Sequence, residues 1–124
     1  MYYSLGKVND IILRECFGKL ITDEVVVTLE RLRHILTKHP QDFELLFLYG
    51  KMCVEDPDLI LQDSKHEKTV FMIKRLRDTN INVILRLALQ GEDNNLKNSV
   101  MTFYRIRDRN LKKLAVNHKI LYNK

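Results

Sequence analysis

The sequence predicts an α+β fold, with N-terminal helices packed on a four- to five-stranded antiparallel sheet, in a single domain spanning residues 1–124. Three observations lead there. Apolar residues recur at helical spacing up to the acidic turn Glu55-Asp56-Pro57-Asp58, and at extended, alternating spacing after it. Ile81 to Leu89 is the clearest alternating run: Ile81, Val83, Leu85, Leu87 and Leu89 point one way, and Asn82, Ile84, Arg86 and Ala88 the other. The links between the later strands are short, which favours an antiparallel meander.

Taken in chain order, residues 1–17 form a poorly defined N-terminal segment. Its apolar run Ile11-Ile12-Leu13 fits a short strand or a helical turn, punctuated by Gly18. Val25-Val26-Val27 is β-branched and reads as a strand. Thr28 then caps a helix, with Arg31 rather than Glu at the third helical position, so the capping box is absent. Leu29, Leu32, Ile35, Leu36 and His39 share one face of that helix, and Pro40 closes it. A second helix is expected from about Gln41 to Cys53. Beyond Pro57, four strands are expected over Asp58–Gln62, Thr69–Arg75, Ile81–Leu89 and Ser99–Ile106, with turn chemistry at Asp78-Thr79-Asn80 and Gln90 to Asn95. Asn110 to Val116 reads as a helix and Ile120-Leu121-Tyr122 as an edge strand or tail.

Composition narrows the class. Hydrophobic residues make up 45% and charged residues 30%, the mix of a globular domain. No apolar run reaches the length of a membrane span, and no signal peptide is visible, so the expected setting is cytoplasmic, with no membrane partner. Cys16 and Cys53 form neither a disulfide framework nor a metal motif and read as buried thiols. The charge is uneven. Lys97 to Lys124 hold eight Lys or Arg against one acid, Asp108, a balance of +7; the preceding residues hold thirteen basic and fifteen acidic, a balance of −2. A concentration of positive charge points to a polyanion, nucleic acid above all, or else to a basic face that is merely solvated.

The sequence carries no Walker loop, dinucleotide fingerprint, nucleophile elbow or paired-histidine zinc helix. No pair of its four histidines has helical metal-ligand spacing, so neither metal nor other cofactor is expected. A metal-independent set remains: His34, His39, Arg86, Lys97, Ser99, Thr102, Tyr104 and Arg105. His34 projects away from the apolar stripe of its helix. Arg86, mid-strand among apolar neighbours, must meet solvent, a carboxylate or an anionic ligand. On a regular strand Ser99 and Arg105 share one face and Thr102 and Tyr104 the other, unless a bulge re-aims one of them. His66 and His118 fall in loop or tail and receive no role.

Two runs resemble a known family. Thr28-Leu29-Glu30-Arg31-Leu32-Arg33-His34-Ile35 followed by Lys38-His39-Pro40 is similar to a helix in which an "HI" pair precedes "RHP". Lys97-Asn98-Ser99-Val100-Met101-Thr102-Phe103-Tyr104-Arg105-Ile106-Arg107 is similar to a "KNSIITFWRIR" strand. The family is the phage-associated barnase/EndoU/colicin/RelE-like nucleases, and the acidic Pro turn, the Ile73-Lys74-Arg75 strand and Leu85-Arg86-Leu87 occur in its order. Arg86 stands where many members have Lys, which changes both geometry and proton chemistry.

The resemblance implies a metal-independent nuclease-like domain of a phage or mobile element, with RNA the expected substrate. His34 and His39 would move protons, Arg86 and Arg105 would hold the phosphate, and Ser99 or Thr102 would donate hydrogen bonds to it. Lys97, Tyr104, Arg105, Arg107, Arg109, Lys112 and Lys113 would bind the strand. The alternatives are a non-catalytic module of the same fold that holds nucleic acid or a protein partner such as an antidote, and an accessory protein of phage head assembly.

Overall fold

A computed structural model describes residues 1–124. In chain order the elements are β1 (Tyr2–Lys7), α1 (Asp10–Phe17), β2 (Glu24–Thr28), α2 (Leu29–Lys38), α3 (Phe43–Glu55), β3 (Leu59–Gln62), β4 (Thr69–Arg75), β5 (Asn80–Arg86), β6 (Asn98–Ile106), α4 (Asp108–Asn117) and β7 (Lys119–Asn123). The strands form one open sheet in the order β1-β2-β6-β5-β4-β3-β7. Every neighbouring pair is antiparallel except β2 and β6, which run parallel.

The α+β class is as expected, but the sheet is larger and mixed: seven strands rather than four to five, one pair of them parallel. The segment before Gly18 is also ordered where no definite element was expected. Tyr2–Lys7 pairs with β2, and Asn9 caps α1 by accepting the Ile11 N–H. Gly18, at φ 76°, ends α1 by donating its N–H to the Arg14 carbonyl. These elements escape sequence reading because their apolar faces are satisfied by α3 and by distant strands. The expected strand over Ile81–Leu89 keeps its place at the centre of the sheet but ends at Arg86. Beyond it Leu87, Ala88 and Leu89 stay buried or half-buried in a connection that turns back at Gly91, whose φ of 100° suits glycine.

Helices lie on both faces. On one face Val25, Val27, Val83, Leu85, Val100 and Phe103 join Leu13 of α1, Ile35 of α2 and Leu46 and Cys53 of α3 in the larger core. On the other, Leu59, Leu61, Phe71, Ile73 and Ile106 pack under Leu111 of α4. Thr28 accepts the Arg31 N–H and starts α2, as its sequence predicts. β2 pairs with β6 only at Val25–Asn98 and Val26–Ser99, so the upper edge of β6 is left to α2 and the turn after it. Asp42, which precedes α3, accepts the Arg105 backbone N–H at 3.1 Å along that edge, and therefore does not cap its own helix.

Candidate nucleic-acid interface

The register of β6 decides which side chains meet. Ile84 faces Thr102 but Leu85 faces Val100, so Met101 is the extra residue of a bulge. The bulge changes which residues share a face: Ser99 opposite Arg86, Thr102 opposite Ile84 and Tyr104 opposite Asn82 all point to the face on which α4 packs. Arg105 points to the other face. The His39 ring stacks on Tyr104, with centroids 5.3 Å apart, and the Asn82 amide donates to the Tyr104 hydroxyl at 3.2 Å. His39, Tyr104, Thr102, Ser99 and Arg86 are thus strung along one side of the sheet. Asn82 Oδ1 and Thr102 Oγ1, on the same side, are buried polar atoms without a partner.

His34 stands apart, exposed on α2. Neither His34 nor His39 makes a side-chain hydrogen bond, so no carboxylate or carbonyl orients either imidazole as a base is normally oriented. None of the five main surface clefts is lined by His34, His39, Arg86, Ser99 or Thr102.

Of the three surroundings open to Arg86, it has taken the carboxylate. Its guanidinium forks onto Glu92 at 3.0 and 2.6 Å. Glu92 also accepts Lys68 Nζ at 3.1 Å and the Leu89 N–H at 2.9 Å. The Arg86 fork, with the Leu89 N–H, pulls the Glu92 carboxyl from the ordinary 4.5 down to about 2. Lys97 is likewise engaged: it pairs with Glu24 at 2.8 Å, which raises its ammonium above the ordinary range, and lies 5.5 Å from the Tyr2 ring centroid. Arg105 Nε donates to Asp42 Oδ1 at 2.5 Å.

Lys124 pairs with Asp56. The other basic residues of the C-terminal third, Arg107, Arg109, Lys112, Lys113 and Lys119, form no ion pair. Arg109, Lys112 and Lys113 fall at i, i+3 and i+4 on α4, opposite buried Leu111, and share one exposed face. Arg107 lines a polar cleft of about 360 Å³ with Asp42, Asp78, Thr79 and Arg105.

Sequence reasoning missed two constellations. Asn98, fully buried, accepts the Ala88 N–H at 2.8 Å and donates to the carbonyls of Thr22 and Glu24 at 2.8 and 3.0 Å. It clamps the start of β6 to the connection that leads into it and to the distant segment at residues 22–24, and its only signal was its place in the Lys97–Arg107 run. His66 and His118 meet around Asp63: His66 Nδ1 lies 2.9 Å from Asp63 Oδ2, and the Ser64 N–H donates to His118 Nδ1 at 3.0 Å. Burial opposes ionisation of Asp63, but the Lys65 N–H and the two rings outweigh it and hold the carboxyl below its usual range. This staple ties the β3–β4 loop to the end of α4. Cys53 is no nucleophile, because burial pushes its thiol up to about 12. No group of three His, Cys, Asp or Glu side chains is arranged to hold a metal ion, and no helix is long and apolar enough to cross a membrane.

No protein-family model, curated protein or solved structure matches this chain.

Proposed function

We propose that the domain binds single-stranded nucleic acid, RNA in the first instance, without cleaving it. The observation that carries this reading is the exposed face of α4, where Arg109, Lys112 and Lys113 stand together without a carboxylate partner. Cations left unpaired on a rigid helix can neutralise successive phosphates, and the counterions they release make binding strongly salt-dependent. The histidines lack orienting partners and Arg86 is neutralised by Glu92, so the chemistry of a general base beside a free phosphate clamp has little support.

Nuclease chemistry of the barnase/EndoU/colicin/RelE-like kind is the second reading. What favours it is the Met101 bulge, which lines up Ser99, Thr102 and Tyr104 on the Arg86 side, with His39 on the Tyr104 ring.

Fluorescence anisotropy with a labelled single strand of about 12 nucleotides, across a salt series, tests the first reading. Each phosphate neutralised on a single strand adds about 0.7 to the log–log salt slope, so Arg109→Ala/Lys112→Ala/Lys113→Ala should lower it by about 2. An unchanged slope would reduce α4 to a solvated face. Incubating chelator-treated protein with RNA separates the two readings. Cleavage that falls about 10²–10⁴-fold in His39→Ala, and not in His66→Ala, would establish the nuclease instead.

A further inference from the structure

Three clefts adjoin around Asp78 and Thr79, in the turn between β4 and β5. One of them is lined by Asp42, Asp78, Thr79, Arg105 and Arg107 and by no apolar side chain. Arg77 lines both of its neighbours. Three guanidinium groups therefore converge on one end of the sheet, and the state of each can be read from its partners.

Arg105 is held rather than consumed. Asp42 Oδ1 accepts its Nε and Asp42 Oδ2 accepts its backbone N–H, so one buried carboxylate holds the side chain at Nε and the strand beneath it. The terminal nitrogens Nη1 and Nη2 donate to no protein acceptor, and the side chain remains 48% exposed. Asp42 spends both oxygens on Arg105, so it offers little repulsion to an anion in the cleft. Arg77 and Arg107 pair with no acid. Asp108 accepts from the neutral Asn80 amide at 2.7 Å and keeps its charge, as does Asp78 in the lining, so these two carboxylates stand against the charges of Arg77 and Arg107.

A pre-aligned guanidinium, one unpaired guanidinium and a threonine hydroxyl in a polar cleft, with the unpaired Arg77 in the adjoining clefts, match a tetrahedral oxyanion, whose oxygens take forked N–H donors. The geometry points to a phosphate-binding site in this cleft, with Arg105 presenting its terminal nitrogens, Arg107 and Arg77 supplying charge, and Thr79 a hydroxyl. The site deepens the nucleic-acid reading, and rests on it in one respect: the phosphate belongs to a strand, within its backbone or at its end. The α4 face would then attract a strand and this cleft would seat one of its phosphates.

Nuclear magnetic resonance of the whole chain tests this with inorganic phosphate, using chloride at matched ionic strength as the reference. Backbone amides of Asp78–Asn80 and Arg105–Asp108 should shift saturably with phosphate and not with chloride. Arg107→Gln should weaken that response about tenfold, and Arg105→Lys, which keeps the charge and loses the fork, should weaken it similarly. Lys65→Gln, outside the cleft, should change nothing. Equal shifts with chloride, or a phosphate response unaltered in Arg107→Gln, would overturn the site. Repeating the titration with 5′-hydroxyl and 5′-phosphorylated RNA separates the sources: equal shifts assign a backbone phosphate, and shifts only with the latter assign the strand end. Saturable phosphate binding without RNA binding would leave the site standing and remove the nucleic-acid reading. RNA binding with no phosphate-specific shift here would do the reverse.

Discussion

Glu92 and Asn98 hold the two ends of the connection between β5 and β6, and each makes a prediction that its neighbours do not. Glu92 ionises at about 2 in the folded chain, against an ordinary 4.5, so its anion favours folding. That contribution is fully present above pH 4.5 and is lost as pH falls through about 2. Wild type should therefore lose thermal stability across this window, and Glu92→Gln should start lower at neutral pH and fall less steeply; Asp56 and Asp63, also depressed, keep some slope in both. Asn98→Ala strands one N–H and two carbonyls in the interior, at about 1–3 kcal/mol for each group left unsatisfied. Chemical denaturation should show a loss of about 3 kcal/mol or more, while Ser99→Ala, whose hydroxyl bonds nothing, should stay within about 0.5 kcal/mol. Arg86 illustrates what single residues disclose in a sequence. A charge at an alternating strand position must be compensated, and that much is legible. That the compensation comes from Glu92 depends on the turn at Gly91, which no periodicity reveals.

At the scale of elements, the most consequential feature is one residue of surplus in β6. Were Met101 paired in a regular ladder instead of bulged, Thr102 to Ile106 would exchange faces: Phe103 would leave the larger core and Tyr104 and Ile106 would enter it. Deleting Met101 should remove the bulge and leave every other β6 side chain on its present face, so cooperative thermal unfolding and near-ultraviolet dichroism should both be retained; loss of either would show that the strand needs the bulge itself. The conflict among Ser99, Thr102 and Arg105 is visible in the sequence; the bulge brings Ser99 and Thr102 together and parts Arg105 from Ser99, and its position is set by pairing with β5. The elements after Pro57 and the helix capped by Thr28 were legible for a related reason: their apolar patterns are strong and their neighbours in sequence are mostly their neighbours in space. β1 and α1 were not, because Leu5 and Leu13 find their partners in α3 and the far strands.

Across the whole molecule, the charge asymmetry read from composition survives folding in reduced form. Lys97, Arg105 and Lys124 are answered by Glu24, Asp42 and Asp56, acids from the earlier part of the chain, so the free positive charge gathers on α4 and at the polar cleft beside its start. Binding to nucleic acid should accordingly weaken steeply with salt, and a preference that outlasts high salt would have to come from stacking or hydroxyl contacts instead. The parallel pairing of β2 with β6 carries a different consequence. Val25 and Val26 are made long before Asn98 and Ser99, the residues that cover their edge. During synthesis the β1–β2 pair therefore emerges with one flank bare and keeps it bare until β6 has been made. The late arrival of β6 closes the two halves of the sheet in a single step, and every nascent chain shorter than that exposes a valine-rich strand edge to its neighbours on the polysome.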